Sequence, residues 1–178
     1  MINKKGSLTG TIYVLGSVLF VLCFIFMFVL GGSILKDTAG QVFDEVRGIG
    51  MVSDNTNVTY YADIVLDPVE NVLDNYAIYA TVLYAFGIIF IFSLAFIFRN
   101  NVSGWNIALF VVSALLIVTF CVVLSNTYES FYTGTDSISL GLQDAGVANY
   151  LILYSPAIFT IIIFLAGIIM MTGKEGNY

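Results

Sequence analysis

Histidine is absent from this chain. With it go the commonest transition-metal ligand and the general base best suited to neutral pH. Two cysteines, Cys23 and Cys121, both fall inside apolar stretches, so no disulfide framework ties the polar segments and the redox compartment stays open. Charge is scarce as well: 10% of 178 residues, against about 25% in a water-soluble domain. That is too little polar surface to coat a globule, so lipid must solvate much of the chain. Acidic residues outnumber basic ones, and the net charge of −6 argues against a nucleic-acid partner. No phosphate-binding glycine loop, nucleophile–base pair or metal-ligand spacing occurs. No catalytic residue, metal ligand or cofactor is therefore expected.

What is present is apolar length. Thr11 to Leu35 carries no charge; Lys4 and Lys5 precede it, and Lys36 and Asp37 close it. At about 1.5 Å per helical residue, such a run crosses a hydrocarbon core about 30 Å thick. Four stretches pass this length test, at about 11–35, 76–98, 105–125 and 150–171. Backbone groups in lipid must bond within their own segment, so each stretch should be helical, and the runs are too continuously apolar for barrel strands. The expected fold is all-α: a single polytopic domain, 1–178, of four transmembrane helices. No Asp, Glu, Lys or Arg lies within a span, which argues against proton relays, ion-coupled carriers and a retinal-type lysine.

Eleven of the twelve acids lie in 36–76 and 126–149, whereas Lys4, Lys5, Arg99 and Lys174 lie in the other polar segments. Cations are retained on the cytoplasmic side. This places both termini inside and the segments 36–75 and 126–149 outside. The first span also has small residues, Gly31 and Ser33, at signal-peptidase spacing, but its apolar run exceeds that of a signal core.

In the first outer segment, Leu35, Ala39, Val42, Val46 and Ile49 recur at steps of four and three, which marks a helix face. Ser53–Asn57 reads as a turn. Ala62, Val65, Val69, Val72 and Tyr76 then repeat, with Asp63, Asp67, Glu70 and Asp74 at the same steps on another face. Asp67-Pro68-Val69-Glu70 predicts a helix start, and the two periodic pieces predict an extramembrane helical hairpin. The acidic stripe reads either as a solvated face or as a surface for a cation or basic partner. Asn57 heads a glycosylation sequon on the outer side; the Asn101 sequon faces inward. The six-residue turn Arg99–Gly104 predicts antiparallel neighbours in spans two and three, with Trp105 at the interface. Residues 137–148 predict one short amphipathic turn on the membrane surface. Ser155-Pro156 predicts a modest kink. Intramembrane Ser and Thr predict bonds to their own or a neighbouring helix.

Tetraspanins and claudins share four spans but carry loop cysteines that this chain lacks. The start Asn3-Lys4-Lys5-Gly6-Ser7-Leu8, the stretch Ser125-Asn126-Thr127-Tyr128-Glu129 and the closing span resemble uncharacterised four-span membrane proteins of archaea and their viruses. That resemblance implies a membrane-embedded assembly or envelope component and supplies no site residues. The expected function is that of a non-enzymatic structural or assembly protein. Its expected partners are the lipid bilayer and either copies of itself or other membrane proteins. The alternative is a pore or transporter accessory subunit with an acidic outer mouth; an intramembrane enzyme or redox subunit ranks below both.

Overall fold

The computed structural model describes residues 4–53, 56–99 and 104–172. Lys174, Glu175, the Asn101 sequon and Asp54-Asn55 lie outside the described residues, as do the side chains of Lys4, Lys5 and Trp105. The fold is all-α. Helix α1 runs from Lys4–Gly48, α2 from Val58–Asp74, α3 from Tyr76–Ile97 and α4 from Gly104–Tyr132. Two short helices, α5 (Ser137–Gln143) and α6 (Val147–Leu153), lead into α7 (Ser155–Met171). A tiny antiparallel ribbon, β1 (Met51–Ser53) and β2 (Thr56–Asn57), joins α1 to α2.

Three helices, α1, α3 and α4, are long and apolar enough to cross a membrane; the bent pair α6 and α7 makes a fourth if it counts as one span. At 45 residues α1 is about 67 Å long, roughly twice the depth of a hydrocarbon core. It ends where Gly48 removes side-chain support and Gly50 turns the chain with φ +67°.

The bundle is ordered by which helices touch. α1 packs on α3 and α4, and α7 packs on the same two. α3 and α4 therefore sit at opposite corners, which corrects the expectation that spans two and three are neighbours. The turn argument failed on reach: six residues extend to about 20 Å, enough to cross a bundle diagonally. The core between the corners is aliphatic and aromatic, with Val14, Val18, Ile91, Cys121, Phe159 and Ala166 fully buried.

Helix α2 begins ten residues before the expected start. Asn57 is its N-cap and accepts from the Tyr60 N–H at 3.1 Å, while Pro68 lies inside the helix. The capping reading of Asp67 and Pro68 is thus corrected: the earlier cap competes successfully, at the expense of the one backbone donor that Pro68 lacks. Helix α4 likewise runs on to Tyr132 instead of ending near residue 125. Thr127 and Ser130 return their hydroxyls to carbonyls one turn back, and Tyr128 is fully buried. The kink at Ser155-Pro156 is a 71° bend, well beyond a modest one. Pro156 occupies the first turn of α7, where a missing N–H costs nothing, so α6 and α7 are separate helices.

Close packing of α1 on α3 depends on Gly87. A Cβ there would overlap Val21 Cγ1. Small residues of this kind let helix backbones approach in lipid. Gly87→Ala should cost about 1–2 kcal/mol, an overpacking penalty reduced by alanine's helix propensity. In a Val21→Ala background the same change should be nearly neutral in thermal unfolding in detergent. Additive losses in the double variant would show that the two helices do not meet there.

Candidate functional site

Two constellations of polar side chains stand out, both at the end of the bundle where α1 emerges. The first is a clasp. Arg47, in the last turn of α1, donates from Nε to Asp63 Oδ1 at 2.9 Å and from Nη2 to Asp67 Oδ1 and Glu70 Oε2, each at 2.7 Å. Lys36 Nζ lies 3.0 Å from Asp74 Oδ1. Eleven residues separate the two ties on each helix, so α2 lies antiparallel along α1. The periodicity that set Asp63, Asp67, Glu70 and Asp74 on one face thus turns all four toward the two cations of the same segment. The hydrogen bond to Glu70, then that to Asp63, raises the guanidinium pKa above its usual value. Thr59 Oγ1 adds a bond to the Arg47 carbonyl at 2.9 Å. Asn57 is exposed, with its Oδ1 committed to the cap.

The second constellation pins α5 across the bundle. Ser33 Oγ donates to the Ile138 carbonyl at 3.1 Å, and Tyr76 OH to the Gly141 carbonyl at 3.0 Å. Tyr128 OH donates to Asn149 Oδ1, while Asn149 Nδ2 donates to the Leu142 carbonyl at 2.6 Å. Ser125 Oγ donates to the Leu153 carbonyl at 2.6 Å, filling an acceptor freed by the break between α6 and α7. Leu142 is fully buried against the bundle. Residues 137–148 therefore plug the helix ends. At the start of α5, Ser139 Oγ donates to the Asp136 carboxylate and holds its pKa below the usual value. Ser137 Oγ donates to Asp37 Oδ2 at 3.0 Å, tying this plug to α1 as well.

Sequence reasoning missed most of this second set. Tyr76 reads as the last step of an apolar repeat, Ser33 as a small residue, and Asn149 carries no motif. A polar residue on an otherwise apolar helix-forming stretch was the available signal for Asn149, because burial of an amide demands partners. Five hydroxyls of the apolar stretches behave as expected: Ser17, Thr81, Ser93, Thr119 and Thr160 each donate to a carbonyl of their own helix. Among the described residues, Tyr84 OH and Ser155 Oγ are buried without a hydrogen-bond partner. Cys23 is half-buried and Cys121 buried, both as free thiols. No group of three or more His, Cys, Asp or Glu able to hold a metal occurs among the described residues. An apolar groove of about 440 Å³ opens between α1 and α4, lined by Ile12, Leu15, Gly16, Leu109 and Leu116 among others.

No protein-family model, curated protein or solved structure matches the chain.

Proposed function

We propose that this is a non-enzymatic integral membrane protein that serves as a structural or assembly component. It crosses the bilayer four times, with α6 and α7 together forming the last span. Both termini lie on the inner side, and the hairpin of α1 and α2 stands outside with the α5 plug. The charge map supports this orientation: acids cluster at one end, and exposed Arg99 sits at the other with Lys4, Lys5 and Lys174 in the flanking segments.

One observation carries the reading. Helix α1 continues unbroken from the span into the outer hairpin, and Arg47 and Lys36 fasten α2 along it. A rigid helical pair, built on a membrane anchor and held upright, is suited to contact and spacing. It has little use in chemistry that needs titratable groups converging in a cavity. Pinned by Ser33 and Asp37 of α1, Tyr76 of α3 and Asn149 of α6, the plug covers the bundle's outer end, which weighs against an open pore.

The test is the mass of the particle extracted gently from its native membrane. A complex heavier than one chain is expected, and liposomes carrying it should pass no ions. A strictly monomeric particle without a partner would overturn the assembly role.

A further inference from the structure

Resting on the assembly reading, we propose that the outward face of α2 is where a second copy of this chain docks. The hairpin is built inside out. The four acids of α2 point inward, onto Arg47 and Lys36, while Asp44 and Glu45 of α1 are exposed, and the apolar side chains of α2 point away from the bundle. Tyr61 is 59% exposed, Val65 65%, Val69 46% and Val72 56%. On α1, Leu35, Val42 and Ile49 are half exposed or more.

These positions are not scattered. Ala62, Val65, Val69, Val72 and Tyr76 step by three and four, the a/d repeat of a helix that packs against another helix. The two ends of that seam, Ala62 and Tyr76, are buried within the chain, and its middle is bare. Lipid is not the natural cover for it. The ties Arg47–Asp63 and Lys36–Asp74 hold α2 along the outer extension of α1, so Val65 stands well beyond the last residue of the first apolar span. A contiguous apolar face standing in water marks a protein contact.

Charge selects the occupant. A basic partner would seek free carboxylates on α2, yet Asp63, Asp67, Glu70 and Asp74 are each bonded to a cation of α1. The positions that flank the bare seam are Tyr61, Leu66, Pro68 and Leu73, none of them charged. An identical uncharged face meets this one without repulsion, and valine knobs fit valine holes. Two heptads are too short to pair two free peptides. Copies confined to one membrane with parallel stalks meet at a much higher effective concentration, which makes a short seam sufficient.

Single cysteines placed at Val65, Val69 and Val72, and at exposed Asn71 as an off-seam control, test this in native membranes with a membrane-impermeant bis-maleimide. The wild type reports any background from Cys23 and Cys121. Covalent dimers are expected at the three seam positions, several-fold above those at Asn71 and in the wild type. Val65→Asp with Val69→Asp should shift the extracted particle to lower mass; both sites are exposed, so the fold tolerates the change. An oligomeric particle with no seam cross-links and no response to the aspartates would sink this inference and leave the assembly role standing. A single-chain particle would sink both. Cross-links to a different protein at these positions would overturn the second copy as occupant.

Discussion

Replacing Arg47 by alanine is expected to free the top of α2 from α1 while leaving the membrane bundle folded. Three carboxylates converge on one guanidinium, and nothing else described at that height neutralises them. Without it, Asp63, Asp67 and Glu70 face the α1 stub as three like charges within two helical turns. Amides of residues 58–66 should then exchange with deuterium about tenfold faster or more, because local opening no longer breaks the clasp. Amides of α3 should be unaffected, since Lys36 still holds Asp74 at the base. Arg47→Lys should resemble alanine more than wild type: a single ammonium cannot present the planar fork that reaches three acceptors. Because the folded pKa of Arg47 is raised, its contribution is complete at every pH below the ordinary guanidinium value and is lost only as pH rises beyond that value through the folded one. Alkali in the working range therefore leaves the clasp intact. Salt does not: the three carboxylates are 47, 64 and 42% exposed and open to screening. Unchanged exchange in the alanine variant would mean that this network, like many surface ion pairs, contributes nothing measurable.

The same clasp shows what could be read from residues alone. Helix existence was legible wherever apolar runs were long, because lipid leaves the backbone no other choice. The acidic stripe was legible too, as a period of three and four in Asp63, Asp67, Glu70 and Asp74. Its destination was not. Periodicity fixes which residues share a face and is silent on what that face meets. Arg47 and Lys36 are separated by the same eleven residues as Asp63 and Asp74, and this matched spacing was the one signal that paired them. The diagonal placement of α3 and α4 was illegible for a different reason. Loop length bounds the distance between helix ends but does not choose among corners within reach. The 71° bend was underestimated because Pro156 predicts a break, whereas the angle is set by how α6 and α7 pack on their neighbours.

Asn149→Leu should be the most damaging single change in the plug. The side chain is nearly isosteric, so packing is conserved and the loss is polar. Asn149 is 3% exposed and serves two groups: it accepts from Tyr128 OH and donates to the Leu142 carbonyl. Leucine strands the buried phenol without an acceptor, while the Leu142 carbonyl loses its amide donor but keeps the Ala145 N–H at 3.0 Å. The stranded phenol costs about 1–3 kcal/mol and the lost amide bond about 1 kcal/mol, so a total of about 2–4 kcal/mol is expected in thermal or denaturant unfolding. The loss should be graded along the chain: α5, released from Asn149, exchanges its amides first, while the spans beneath retain protection. Tyr128→Phe gives the discriminating control. Alone it should cost about 1 kcal/mol, the net worth of one hydrogen bond. Combined with Asn149→Leu it should restore stability, because removing the hydroxyl abolishes the orphan that leucine created. If the double variant is instead weaker than Asn149→Leu by the full cost of Tyr128→Phe, the two side chains act independently and do not hold the plug together.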